Sequence, residues 1–393
     1  MHPTALEVAS GCVLGAEPGV RPLPPARHLV PRVALEAAIE PALARGPCLV
    51  SFSGGRDSSL VLAVATDVAR RRGLPLPVPV TMRFPGVPEA DESCWQELVV
   101  GHLRLPDWIR HEYDDELDLI GPLARRVLST HGLLDPANAY FHTPMLEDAA
   151  GGTLLTGFGG DDVFREWRWN RPAGVLARRL TPRPRDVLRV SFFASPRFVQ
   201  RPVFRRRIER QLLLPWLRPS AQAAVQQRWL AELESHPRSF ERYIHWLAAR
   251  RFIAVTCRSL GLLAYDAGAT IEHPLLEAGF LASIARAGGV LGFGDRSATM
   301  QGLFARVLPD AVLTRGTKAF FAAALKGPHT RRFIDSWTGE GLDRQLVDED
   351  ALRATWAARE PDGRSVLLLQ SVWLAATGGR PAPVTVIAPN QAR

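Results

Sequence analysis

The chain has 393 residues, 46% of them apolar and 22% charged, and a formal net charge of +8. That length can bury a large core and points to two or three domains, and the composition is that of an ordinary globular protein. No apolar run is long enough to cross a bilayer, and Met1-His2-Pro3-Thr4-Ala5-Leu6-Glu7 lacks the basic start and apolar centre of a signal peptide, so a cytoplasmic protein with no membrane partner is expected.

Cys12, Cys48, Cys94 and Cys257 are widely spaced and form no C-x-x-C pair, so neither a disulfide framework nor a cysteine zinc site is implied. Histidines with no H-E-x-x-H spacing, His142, His245 and His273 among them, are expected to be structural or at most substrate-lining. The positive charge would permit a polyanionic partner such as RNA. Lysine, however, occurs only at Lys318 and Lys326. A GC-rich genome would impose such a skew on every surface alike, which weakens the case for nucleic acid. It also singles out a retained lysine, because the two cations differ in geometry and hydration.

Residues 1–30, rich in proline and glycine and without sustained periodicity, are expected to form an arm. An amphipathic helix is predicted over Val33–Leu43, then a strand over Cys48–Phe52. At its end stands Ser53-Gly54-Gly55-Arg56-Asp57-Ser58-Ser59, with a helical pattern running on to Arg72. Strand, glycine turn and helix start form an arrangement that grips phosphate. The glycines let the backbone approach an anion, the first-turn amides and helix dipole favour negative charge, and the hydroxyls of Ser53, Ser58 and Ser59 can donate. Asp57 would repel a phosphate unless a magnesium ion lies between them. No Gly-Lys-Ser/Thr follows, so this is not a Walker loop.

Further along, strands are predicted over Val78–Arg83, Trp108–Tyr113 and Thr153–Thr156, with helices over Ala90–His102, Leu117–Thr130 and Pro144–Ala150. This alternation argues an α/β fold with a parallel sheet covered on both faces. The last strand runs into a second glycine loop, Thr156-Gly157-Phe158-Gly159-Gly160-Asp161-Asp162-Val163-Phe164. Both loops fall at the carboxyl ends of strands, where such sheets bind ligands. Asp57 and Asp161 could therefore hold one magnesium from two sides, with Asp162 either supporting that site or, the preferred expectation, capping the next helix. Beyond Arg165 helical patterns dominate (Ala221–Glu234, Arg238–Leu260, Ser297–Val307), and the residues after Gly379 read as a loose terminus.

Together these loops resemble the synthetase part of the asparagine synthetase family, a group that includes β-lactam synthetases and lasso-peptide cyclases. The resemblance covers about Val33 to Leu325. Ser53–Ser59 matches the family's pyrophosphate loop, and Phe84-Pro85-Gly86-Val87-Pro88-Glu89-Ala90-Asp91-Glu92 the segment after its second strand. Gly157–Phe164 matches its Gly-x-Gly-x-Asp-Glu-x-Phe loop. Glu272-His273-Pro274-Leu275-Leu276-Glu277, then Leu308-Pro309-Asp310, Arg315 and Lys318-Ala319-Phe320, match its C-terminal pattern. The implied fold is a parallel-sheet ATP pyrophosphatase (PP-loop) core over residues 31–165, a helical part over 166–380 completing the site, and a tail over 381–393.

The resemblance implies ATP and Mg2+ as cofactors and a two-step reaction. A carboxylate attacks the α-phosphate of ATP and releases pyrophosphate, then ammonia or an amine attacks the acyl-adenylate and releases AMP. By the same matching, Ser53, Gly54, Gly55, Asp57, Ser58 and Ser59 hold the pyrophosphate, and Asp57 and Asp161 bind the metal. Lys318 stabilises developing charge, Arg315 assists on a phosphate, and Met82, Thr156 and Gly157 lie near adenine or ribose. Glu272 and Glu277 are expected to be structural.

Two departures bear on the substrate. About thirty unpatterned residues precede the synthetase part, too few for the family's glutaminase domain. The chain is therefore expected to take free ammonia, to accept another amine, or to work with a partner protein. Phe158 stands where asparagine-forming members carry glutamate and β-lactam synthetase a tyrosine, and phenylalanine moves no proton. That favours a specialised amide-forming enzyme in peptide or natural-product biosynthesis acting on a carboxylate-bearing small molecule or peptide. A lasso-peptide-type macrolactam cyclase and, more distantly, a PP-loop RNA-modifying enzyme remain open as alternatives. The Arg/Trp-rich stretch from Arg165 to Arg218 is expected to be mostly solvated helix face, with an acidic-peptide groove as the sharper alternative.

Overall fold

In the run Cys48-Leu49-Val50-Ser51, side chains alternate between two apolar layers. Cys48 and Val50, with Phe52 just beyond, face one buried cluster and Leu49 faces the other, the period-two signature of a strand covered on both faces. In the computed structural model, which describes residues 3–164, 167–305, 307–317, 326–358 and 362–378, this run is the central strand β1 (Cys48–Ser51). β2 (Val78–Arg83), β3 (Ile109–Glu112), β4 (Thr153–Leu155) and β5 (Thr270–Glu272) complete a sheet of order β3-β2-β1-β4-β5. Every pairing is parallel, with Leu49 opposite Val78 on one side and Leu154 on the other.

Helices cover both faces. Near the N-terminus lie α1 (Ala5–Ser10) and α2 (Pro31–Ala44); α3 (Arg56–Arg72) follows β1. α3 is apolar all round its middle, where Leu60, Val61, Leu62 and Val64 are fully buried, so it sits between the sheet and other helices rather than on the surface. α4 (Ser93–Leu103) packs on the same side. α5 (Pro122–His131) and α6 (Thr143–Asp148) lie on the opposite face. After β4 the chain is helical: α7 (Gly160–Val163), α8 (Asn170–Leu176), α9 (Pro184–Ala194), α10 (Arg197–Gln211), α11 (Pro219–Ser235), α12 (Phe240–Ala248) and α13 (Arg251–Asp266). Past β5 come α14 (Ala278–Gly288), α15 (Arg296–Phe304) and α16 (Asp310–Leu313). No described helix is long and apolar enough to cross a membrane.

The architecture is the α/β fold expected, with four differences of detail. The helical half returns one strand, β5, to the sheet edge beside β4; three residues paired on one side leave too little alternation to read. The helix expected over Arg238–Leu260 is two, α12 and α13. Arg250 is extended at the break and bridges Ala16. The N-terminal arm is not unpatterned either. α1 carries a Thr4/Glu7 capping box, and Glu7 and Glu17 hold Arg251 at 2.8 and 2.7 Å. Those contacts span more than two hundred residues and leave no local trace. Finally, the helix expected from Leu117 starts at Pro122, whose ring suits a first helical turn.

Candidate active site

β1 and β4 are neighbours, and from β1 the strand order runs outward in both directions. The loops leaving β1 and β4 therefore flank a crevice at the switch point of the sheet. The first loop turns at Gly54, whose φ of +82° is open to glycine at little cost. Ser58 braces the turn from the first turn of α3. Its Oγ bonds the Gly55 carbonyl and the Ser53 backbone N–H and lies 3.1 Å from Ser53 Oγ. Gly55 N–H donates to Ser53 Oγ, and Gln96 from α4 donates to the Ser53 carbonyl. Ser59 is fully enclosed, and its hydroxyl has no partner among the described residues, so Ser53 is the loop hydroxyl most open at the mouth.

The second loop lies directly against the first. A Cβ on Gly157 would fall 2.6 Å from Ser58 N, and one on Gly160 would fall 2.3 Å from the carboxylate carbon of Asp57. Glycine at these two places is what lets Asp57 and Asp161 converge. Their carboxylates meet on one guanidinium. Arg296, at the start of α15, reaches Asp57 at 2.6 and 2.7 Å with Nη2 and Asp161 at 2.5 Å with Nη1. Burial pushes the Asp57 carboxyl above its ordinary range, and Arg296 pulls the other way. Arg56 stands close by, bonded to Ser297 Oγ at 3.3 Å; burial and then the charge of Arg296 lower its pKa.

Arg315 takes a different part from the phosphate contact expected of it. It is buried, paired with Glu92 through both nitrogens, stacked 4.5 Å over Trp95, and donates to the Gly54 carbonyl at 3.1 Å. It thus ties the first loop to α4 from behind. Lys318 lies outside the described residues. Asp162 does not cap α7: that place falls to Gly159, and the Asp162 carbonyl instead accepts from Tyr243 Oη at 3.0 Å.

Beside the first loop is a cavity of about 190 Å³ lined by Met82, Val80, Phe84, Ser53, Gln96 and Met145 among others. Met82 is thus brought to the loop. Thr156 and Gly157 are not in that lining. Thr156 Oγ1 is 2.7 Å from His273 Nδ1 and accepts from Phe158 N–H, and the Phe158 ring stands edge-on to His273 at 5.4 Å. Burial, then the neighbouring His142, holds His273 down at about 4, so it is neutral at pH 7. Glu277 caps α14 through Phe280 N–H, and Glu272 pairs with Arg45, structural work in both cases.

Arg296, Arg56 and Glu92 are the residues that sequence reasoning missed at this site. Asp295 capping Ala298 N–H marks the start of α15 one residue before the predicted helix. That cap would have placed Arg296 in a first turn but could not have aimed it at Asp57.

A parallel α/β sheet with a serine-glycine loop and two converging carboxylates at its switch point has the architecture of a PP-loop ATP pyrophosphatase. The chain matches the family described as asparagine synthase over residues 32–375 and belongs to that family. A search of curated proteins gives no match. Members of the family are ATP-dependent amide-bond ligases that join a carboxylate to ammonia or an amine, and this chain is a ligase of that general kind.

Proposed function

We propose that the chain is an AMP-forming amide synthetase that adenylates a carboxylate and transfers the acyl group to an amine, in specialised or peptide biosynthesis rather than in asparagine formation. The observation that carries this reading is the convergence of Asp57 and Asp161 on a single cationic group beside the Ser53–Ser59 loop. Two carboxylates that already share one cation fit a divalent metal, and Asp57 and Asp161 would hold it. When bound, Mg2+ would neutralise charge on the triphosphate.

The chain's own residues do the rest. The Ser53–Ser59 turn, at the N-terminus of the long helix α3, offers the open Ser53 hydroxyl and a positive dipole to the departing pyrophosphate. Arg56 adds charge at the same place, and Arg315 fixes the loop through Gly54. The apolar slot lined by Met82 and Phe84 would take the purine. A carboxylate oxygen then attacks the α-phosphorus, the bond to the pyrophosphate oxygen breaks, and Lys318 meets the negative charge that develops. The amine next attacks the acyl carbon and AMP leaves. Phe158 cannot accept the amine's proton, and His273 beside it is a weak base, so the nucleophile enters already neutral or gives its proton to a group on the substrate. This favours an amine other than ammonium.

Exchange of labelled pyrophosphate into ATP, measured with Mg2+ against a panel of acids and acidic peptides, tests the reading. Exchange that depends on the acid and vanishes in both Asp57→Ala and Asp161→Ala is expected. Full exchange in either variant would remove its assigned role.

A further inference from the structure

The positive charge of this chain is not spread over its surface. Arg168–Arg218 holds fourteen arginines against only Asp186 and Glu209, a net charge of +12, so the remainder of the chain is net negative. Twelve of those arginines are exposed. A compositional preference for arginine over lysine would not concentrate charge in this way. The same stretch also exposes Leu176, Val187, Leu188, Phe198, Val203 and Leu213, with Phe198 77% accessible.

Between α8, α9 and α10 this surface folds into a groove of about 450 Å³. Trp167, Phe192 and Phe193 are its aromatic part, and Arg168, Arg189 and Arg207 its charge. Arg171 is held by Asp186 through two bonds of 2.5 and 2.8 Å. Among the described residues no carboxylate lies within ion-pair distance of Arg168, Arg189 or Arg207. Arg168 stacks over Phe204 at 4.9 Å and Phe193 at 5.6 Å and gives one hydrogen bond to the Leu233 carbonyl. Burial, and then the repulsion of Arg207, brings its pKa down to about 10. A half-buried guanidinium facing another without a counter-charge is an electrostatic cost that an anion would relieve.

We propose that this groove binds an acidic, partly apolar peptide segment, its carboxylates meeting Arg168, Arg189 and Arg207 and its apolar side chains lying over Phe192 and Phe193. Arginine suits carboxylates because its planar fork matches them. A bilayer fits less well. Around α10, Arg197, Phe198, Val199, Arg201, Val203 and Arg205 alternate over the exposed circumference, so no purely apolar face exists to enter lipid. RNA fits less well too, because single strands stack on open ring faces. Here the exposed apolar side chains are aliphatic apart from Phe198, and the half-buried rings of Phe192 and Phe193 are turned edge-on to each other at 62°. Trp167, in the groove lining, follows the Gly157–Phe164 loop by three residues, so groove and second catalytic loop are neighbours in sequence. On the ligase reading, the bound peptide carries the carboxylate to be adenylated, but binding itself does not depend on that reading.

The test is fluorescence anisotropy, without ATP, using a short labelled peptide that alternates glutamate with leucine and its glutamine counterpart. The glutamate peptide should bind, weaken as salt rises, and lose at least about tenfold affinity in Arg189→Glu/Arg207→Glu, as the loss of two charge-assisted contacts implies. The same charge change elsewhere, in Arg126→Glu/Arg332→Glu, should leave affinity within about twofold, since surface charges away from the contact act weakly. Equal binding of the glutamine peptide, unchanged affinity in the groove variant, or an equal loss in the control would overturn the proposal. So would displacement of the peptide by phosphatidylserine vesicles or single-stranded RNA at lower concentration than by unlabelled peptide. Because no turnover is read, peptide binding and pyrophosphate exchange can fail independently.

Discussion

A methyl group on Gly160 would fall 2.3 Å from the carboxylate carbon of Asp57. One residue further on is Asp161, so the backbone that supplies the second carboxylate is also the surface on which the first one rests. The two acids are positioned by contact between the loops, not by independent anchoring.

Gly160→Ala follows directly. The φ of Gly160 is not in the left-handed region, but the methyl would also fall 2.6 Å from Asp57 Cβ, so the loops must part at a cost of about 1–3 kcal/mol, which should lower the melting temperature while leaving the protein folded. Asp57 must nevertheless shift, and a displacement of about 1 Å costs on the order of a hundredfold in rate. Pyrophosphate exchange should fall by about that factor. Wild-type exchange in a folded Gly160→Ala protein would mean that the Asp57 position is irrelevant to the chemistry.

Arg296 shares the space between Asp57 and Asp161 with any metal they hold, because both carboxylates already point at its guanidinium. Removing it should strengthen binding of a divalent ion added alone. In Arg296→Gln, Mn2+ titrated without nucleotide and followed by electron paramagnetic resonance should bind about tenfold more tightly, the usual size of a coupling between two sites. An unchanged affinity would mean that the ion sits elsewhere.

Lys318 is one of two lysines in a chain of 46 arginines. If its compact ammonium meets charge developing in the reaction, Lys318→Ala should lower turnover by about a hundredfold to a thousandfold. Lys318→Arg should not restore it, since a planar guanidinium differs in shape and hydration. Single-turnover amide formation measured on all three proteins settles the point, and near-normal rates in Lys318→Arg would reduce the residue to a surface cation.

What the sequence made legible were features written locally. The alternation in Cys48–Ser51, the glycines of both loops and the apolar circumference of α3 each sit within a few residues of one another, so β1, α3 and the two acids could be placed before the fold was known. What stayed hidden is set across the chain. Arg296 finds Asp57 over 239 residues, and Arg315 finds Glu92 over 223. Glu7 is buried only because Arg251 comes to it, and β5 exists only because β4 is beside it. Arginine at positions 296 and 315 looks like any other arginine until the tertiary structure supplies its partner.

His273 gives a pH dependence of stability. Burial keeps its imidazole at about 4, whereas in the unfolded chain it titrates near 6.5. Between these values the unfolded chain takes up a proton that the folded chain refuses. The contribution is therefore complete above about pH 6.5 and is lost as pH falls towards 4, at about 1.4 kcal/mol per unit. Glutamine can keep a hydrogen bond to Thr156 without titrating. Urea unfolding at pH 7 and pH 5 should show wild type losing about 2 kcal/mol more than His273→Gln over that interval, and parallel losses in the two proteins would contradict the assignment.

The Glu92–Arg315 pair is almost closed to solvent, with side chains 7% and 4% accessible. Taking away one partner leaves a buried charge, so Glu92→Leu should destabilise the protein by about 3–5 kcal/mol, whereas replacing both partners with apolar residues often comes close to neutral. Glu92→Leu/Arg315→Met should thus recover most of the stability lost by Glu92→Leu. It should not recover nucleotide binding, because Arg315 also holds the Gly54 carbonyl in the first loop. Urea melts and the KM for ATP separate the two effects: stability is regained while KM stays raised. A double variant with both restored would mean that the loop keeps its shape without Arg315, and one with neither restored would mean that the pair supports more of the core than the loop alone.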